Sequence, residues 1–546
     1  MMCRISLIIG SFLLSACSVY PQYGNGMMQG GQGMMNGDRV RTAANQPDGF
    51  LPGFSQDVSA LPEAKPSEPI EVHDGEMIRL DPMMVRKEIN GRDVAMYGYN
   101  GEIPGPVLKA SQGASFTVSV TNKIDLPTTV HWHGVRLENS NDGVEGVTQP
   151  MIAPGDSYTY TVKVPDEGMY WYHTHVREDV QQPMGLYGAI LVTPVVDGSY
   201  TPADEEHSII LNDLLVNDEG TPVPYGSQNP DHTLMGRFGN LFLVNGQMPE
   251  PSDVALGSVV RYSILNASNT RTYRIVKPKD GMLKIIGGDS GRYEQEFFAD
   301  TFIVSPSERV IAEIYYFDEA VSRGSRTDTT VTIVEAGPLS NPVPVVTAKI
   351  AGGVAGESQL ESFKTLRKNA DVIRSIDPFR NAFGKEPDHT IVLEMGMMGG
   401  GRMRGHGEMM GRVPKDGIEW EDAPGMMDMM GSMMKWRMVD KETGSANEDL
   451  LYTARVGDQV KFRIVNPSDS PHPMQHPVHF HGQRFLVLSD NGVPMTNHVW
   501  KDTVLVPAGH TIDILMDMSN PGDWMFHCHI AEHLGNGMMG MLRVLP

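Results

Sequence analysis

The sequence predicts an all-β chain built from three like domains, and three observations carry that prediction. From about residue 67 the 546-residue chain runs in short alternating stretches rich in Val, Ile, Thr and Tyr, broken by Gly, Pro and Asn-Gly turns, which is the pattern of a β-sandwich or barrel. Three stretches are variants of one another. GASFTVSVTN (113–122), GSVVRYSILN (257–266) and GDQVKFRIVN (457–466) each open on Gly, alternate for a strand's length and close on Asn nine residues later, so three copies of one unit are expected. A longer repeat joins the outer copies: PGDSYTYTVKVPDEGMYWYHTH (154–175) parallels AGHTIDILMDMSNPGDWMFHCH (508–529) with the same Gly-to-His spacings.

Residues 1–17, MMCRISLIIGSFLLSAC, set one Arg before an apolar run and small residues before Cys17. This is the layout of an export signal, too short to span a bilayer as a permanent helix. Leu14-Ser15-Ala16-Cys17 resembles the bacterial lipobox, in which the Cys becomes the lipidated first residue. Ser18 behind it resembles the sorting pattern for the outer membrane. The expectation is an envelope protein on the periplasmic side, held to the membrane only through lipid on Cys17. Residues 18–66, rich in Gly, Gln, Asn, Met and Pro, cannot bury enough apolar area to order themselves and read as a flexible tether.

Domain 1 is expected over 67–196, domain 2 over 197–352 and domain 3 over 387–546. In the linker 353–386, Phe363, Leu366, Ala370 and Ile373 recur at helical spacing before Asp377-Pro378, which predicts a short amphipathic helix. The middle copy keeps the strand framework without paired histidines and reads as a spacer.

The formal charge of −23, from 67 acidic against 44 basic residues, repels a phosphate backbone and excludes general nucleic-acid binding. Cations are the better partners, and the 37 methionines supply soft thioethers that favour Cu(I). Of the three cysteines, Cys3 leaves with the signal and Cys17 takes lipid. Only Cys528 stays in the folded body, so its stability comes from cores and metal without an intrachain disulfide.

Ten of the 18 histidines fall into four blocks, HWHG (131–134), HTH (173–175), HPVHFHG (476–482) and HCHIAEH (527–533). Each holds a His-x-His, and on a strand residues i and i+2 share a face, so each presents two imidazoles side by side. Eight imidazoles would complete a cluster of three metals; imidazole alone suits Cu, Zn, Fe or Ni. Cys528, between His527 and His529, must point to the opposite face and serve a different site. With His533, Met538 and the spare His476 it offers a thiolate, two imidazoles and a thioether, the donor set of a blue-copper electron-transfer site.

On these motifs the chain resembles the multicopper oxidases, from about residue 67 onward. The resemblance implies three cupredoxin-like Greek-key domains and four copper ions. Type 1 copper would take His476, Cys528, His533 and Met538, and type 2 His131 and His479. One type 3 copper would take His133, His173 and His529, and the other His175, His481 and His527. Asp142, in NDGVEG, matches an acid that members use beside the type 2 site for protons. Many bacterial members carry Glu directly after the second type 1 His, where this chain has Leu534.

Thirteen methionines lie between Met395 and Met438, in a segment without the Leu, Ile and Val of a core stripe. Met426, Met430, Met433 and Met434 would share one face of a helix. This segment resembles the Met-rich insert of bacterial cuprous oxidases, which feeds Cu(I) to type 1 copper. Met474 matches a Met near their substrate copper, whereas His472 stands where they have an acidic ligand. The expected protein is therefore a monomeric cuprous oxidase that reduces O2 to water in copper tolerance. A laccase-like oxidase of phenols or aromatic amines, an Fe(II) or Mn(II) oxidase, and a non-catalytic copper-storage protein are the alternatives; a two-domain copper nitrite reductase has no use for four His-x-His pairs.

Overall fold

The computed structural model describes residues 57–225, 230–337, 342–354, 359–397, 415–421, 434–470 and 472–546. The export signal, most of the tether and residues 398–414 and 422–433 of the Met-rich insert, with the helical face expected of Met426, Met430 and Met433, lie outside the described residues. No described helix is long and apolar enough to cross a membrane.

Strands dominate, as expected of an all-β chain, and apart from the two-stranded sheet of Pro82–Ile89 and Arg92–Tyr99 they fall into successive pairs of sheets. The first pair sets a five-stranded sheet, ordered Pro69–Val72, Val107–Ser111, Tyr187–Thr193, Gly168–His173 and His131–His133, against a three-stranded one. A six-stranded and a five-stranded sheet follow between Glu205 and Val354, and another such pair between His389 and Leu545. Each pair closes over its own buried aliphatic and aromatic cluster.

The sequence repeat is also a repeat of topology. Ser115–Thr121, Val259–Asn266 and Gln459–Val465 each lie between one parallel and one antiparallel neighbour. The closing Asn has a physical reason. Each is buried, and its side-chain amide donates to two carbonyls: Asn122 to Leu126 and Ile152, Asn266 to Arg271 and Val304, Asn466 to Met474 and Val506. One side chain thus ties two loops to the strand end, where an apolar residue would strand both acceptors.

Three expectations change. The linker carries two helices, Leu360–Lys364 and Ala370–Ile376, in place of one. Phe363 is buried, but Leu366 is 37% exposed and in the second helix Val372 and Ile376 face the core, so the apolar spacing is real and the continuity is not. The insert is shorter than 395–438, because His389–Met397 pairs with Met434–Asp440 and carries Met395 and Met438 into the domain core. Met434 therefore belongs to a strand. Finally, the first core takes in Leu214, Val216, Tyr225, Leu241 and Leu243, beyond residue 196.

Candidate metal centre

Strand pairing assembles the histidines. His131–His133 lies antiparallel to Gly168–His173 with His131 opposite His173, and His476–Phe480 lies antiparallel to Gly522–Cys528 with His479 opposite His527. Of the four His-x-His pairs only His131 and His133 lie together within one strand, whose period-2 alternation sets them on one side; His175, His481 and His529 lie one or two residues past the ends of Gly168–His173, His476–Phe480 and Gly522–Cys528.

Ligand-capable atoms of His133, His173 and His529 lie within 4.8 Å of one another, as do those of His175, His481 and His527, and those of His131, His133 and His479. All eight residues are buried, and His133 stacks on His479 at 3.6 Å between ring centroids. The structure thus brings together the eight histidines of the four pairs.

Their hydrogen bonds show what the cluster lacks. His131 Nδ1 donates to the Asp142 carbonyl at 2.8 Å, His173 Nδ1 to Thr174 at 2.7 Å and His479 Nδ1 to Asp502 at 3.0 Å. In each ring Nε2 is then buried without a partner. His481 Nδ1 faces the Asp142 carboxylate at 2.9 Å and His527 Nδ1 the Cys528 carbonyl at 2.9 Å, while their Nε2 atoms approach each other to 3.1 Å. Burial first, then the neighbouring imidazoles, holds His133, His173, His175, His479, His481 and His529 well below the usual histidine range, and burial brings His527 down to about 4. Neutral rings with converging lone pairs are a cation site, so the residues fit the coppers the resemblance implies.

Cys528 faces the other way, into the core of the last sandwich. Its Sγ lies 3.6 Å from Nδ1 of both His476 and His533. Met538 is buried in the same core, its carbonyl accepting from Cys528 N and its N–H donating to the His533 carbonyl. Burial pushes the thiol up and brings His533 down to about 3. His533 Nε2 donates to the Leu234 carbonyl at 3.1 Å, leaving Nδ1 to face the sulfur. Thiol, two imidazoles and thioether are the donors of a blue-copper site.

Asp142 touches two histidines, with Oδ2 at 2.9 Å from His481 Nδ1 and Oδ1 at 3.3 Å from His131 Nδ1. Met474 is fully buried, tied through its carbonyl to Asn466. Beside it His472 Nε2 lies 3.8 Å from Glu419 Oε2, and Glu419 and Gln475 exchange two hydrogen bonds, Glu419 N–H to Gln475 Oε1 at 2.8 Å and Gln475 Nε2 to the Glu419 carbonyl at 3.1 Å. Residues 415–421, within the insert, are thereby clamped to the loop that leads into His476.

Several residues at the site escape sequence reasoning. Asp502 places Oδ1 3.1 Å from His133 Nε2 and is bound through both oxygens by Arg309, which is fully buried. Glu178 sits 3.4 Å from His175 Nε2 with both carboxylate oxygens buried and unpartnered. Asn269 holds the Glu532 carboxylate and the Ala531 N–H. Leu234, Asn269 and Arg309 all come from the middle copy, so it is no mere spacer. Only Glu178 left a signal, an acid three residues after a His in HTHVRED.

Comparison with known proteins gives the same picture. Family models described as multicopper oxidase match residues 84–196 and 421–546, which together contain all twelve residues expected to hold copper. The chain is 26% identical to the multicopper oxidase MmcO of Mycobacterium tuberculosis, over 93% of this chain and 94% of that one. It is also 26% identical to copper resistance protein A of Escherichia coli, over 84% of this chain and 90% of that one. Among solved structures, a multicopper oxidase from Campylobacter jejuni described as a metallo-oxidase superposes with a TM-score of 0.66 at 22% identity, covering 90% of this chain and 97% of that one.

Proposed function

We propose, for a chain that belongs to the multicopper oxidase family, that its donor is cuprous ion and that it acts in copper tolerance. Members of the family are oxidoreductases that pass electrons from a reducing substrate to O2. Copper held in the metal centre would supply the redox chemistry that couples a one-electron donor to the four-electron, four-proton reduction of O2 to two waters. His476, Cys528, His533 and Met538 would hold type 1 copper, and His131 and His479 type 2. His133, His173 and His529 would hold one type 3 ion, and His175, His481 and His527 the other.

The observation that carries the oxidase reading on which this rests is the split at 527–529. Cys528 Sγ lies between His476 and His533, while His527 and His529 join two different triads of the cluster. The backbone of three consecutive residues is then a short covalent path from donor side to oxygen side. Protons must reach the same place. Asp142 accepts from the His481 N–H and orients that ring, and Glu178 is placed to hold a proton at Oε1 beside His175. Leu534 packs against Val144 in an apolar cluster and carries no proton there, so Glu178 takes over that supply.

Cuprous ion as donor is supported by the clamp of Glu419 on Gln475, which sets residues 415–421 of the Met-rich insert beside His472 and Met474. His472 and Met474, four and two residues before His476, put a soft imidazole and a thioether in the same loop. The signal at 1–17 and the lipobox resemblance at Cys17 support a lipid-anchored protein on the periplasmic side of the outer membrane. Oxygen uptake by the copper-loaded protein with Cu(I), Fe(II) and a phenol, side by side, tests the proposal. A kcat/KM for Cu(I) above the others supports it; a preference for the phenol makes the protein laccase-like.

A further inference from the structure

Around the Cys528 sulfur stands a third aromatic ring that is not a ligand. Trp436, in the strand Met434–Asp440 that leaves the Met-rich insert, is 1% exposed. Its ring centroid lies 4.6 Å from that of His476 and 4.8 Å from that of His533. Its indole Nε1–H donates to the Leu234 carbonyl at 3.2 Å, the same oxygen that accepts from His533 Nε2 at 3.1 Å. That carbonyl belongs to the last turn of the helix Pro230–Met235, where carbonyls have no partner within the helix. Gly236 ends the helix at φ 72°, and a Cβ there would stand 2.4 Å from Thr270 Oγ1 and 2.8 Å from Ile530 Cγ2. The close seat that brings the carbonyl to His533 is therefore open to glycine alone.

Two donors on one carbonyl weaken each other, because each draws on the electron density the other uses. The hydrogen bond from His533 Nε2–H sets how much charge its Nδ1 can give to a metal, since a partner on the far nitrogen raises the basicity of a ligating imidazole. We propose that Trp436 is a positioning residue for the electron-accepting site: by sharing the Leu234 carbonyl with His533, it fixes the ring's orientation and holds down its electron donation, keeping the type 1 potential high. This rests on the assignment of His533 to type 1 copper. It gives the middle copy a part in tuning a metal it does not bind.

Trp436→Phe keeps an aromatic ring in the same seat and removes only the N–H. In the copper-loaded variant the blue thiolate-to-copper band is expected to persist, while at a fixed solution potential the ratio of oxidised to reduced type 1 copper rises about threefold. Should that variant fail to fold, the wild-type sequence grown with 5-fluorotryptophan, whose N–H is the stronger acid, is expected to move the ratio the opposite way. Opposite shifts, or the single shift from whichever protein can be made, support the assignment. An unchanged ratio in Trp436→Phe, or a shift of the same sign in both, overturns it. Absence of the blue band from the wild type itself overturns the type 1 assignment, and this inference with it.

Discussion

His481 and His527 face each other through Nε2 atoms 3.1 Å apart, yet the Nδ1 of each already donates elsewhere, to Asp142 and to the Cys528 carbonyl. With both rings neutral, two lone pairs meet without a proton between them. A cation turns this repulsion into attraction, which ties the stability of the fold to metal.

Copper loading should therefore raise the unfolding temperature markedly. At free copper 100-fold above the dissociation constant of a site, each independent site adds about 2.7 kcal/mol. Calorimetry of the chelated and reloaded protein checks this.

Without metal, the pH profile follows from burial. His527 and His533, down to about 4 and about 3 from 6.5, stay neutral when folded but take protons when unfolded. Their contribution is complete above pH 6.5 and is lost as pH falls toward 4 and 3. Glu145 and Glu532, pushed up by burial from 4.5 to about 7, act in the opposite sense. Their contribution is complete below pH 4.5 and is lost as pH rises through 7. Urea midpoints of the metal-free protein should peak near pH 6.5, with the steeper fall on the acid side, where His133, His173, His175, His479, His481 and His529 add to the loss.

The proton supply is tested at Glu178. Glu178→Gln keeps shape and burial but has no acidic proton, so steady-state oxygen reduction should fall about 10²-fold or more. Anaerobic reduction of the blue copper by the donor, followed by stopped-flow absorbance, should keep its wild-type rate.

Arg309 is worth more to the fold than its distance from the ligands suggests. Arg309→Met leaves the Asp502 carboxylate buried without its cation, a loss of about 3–5 kcal/mol in urea unfolding. Arg309→Met combined with Asp502→Asn should recover much of it, because the stranded charge is gone.

What the sequence discloses and what it hides divide along a physical line. The histidine pairs and the opposed Cys528 are legible because strand periodicity alone fixes which side chains share a face. The Gly-to-Asn repeat is legible for a similar reason, each Asn serving loops beside its own strand. Arg309 with Asp502, and Leu234 with His533, join residues 193 and 299 positions apart, and no local pattern announces such contacts. The linker shows the limit of periodicity: Phe363 and Leu366 keep helical spacing, but only Phe363 has a core to enter.

One strand turns sulfur to one metal site and imidazoles to another, and Cys528→Ser separates the two. The copper-loaded wild type should absorb strongly at about 600 nm through thiolate-to-copper charge transfer. Cys528→Ser should lose that band and one copper while keeping the ions of the histidine cluster, as read by metal analysis and electron paramagnetic resonance. A variant that keeps the band, or a wild type that never shows it, means that Cys528 holds no copper.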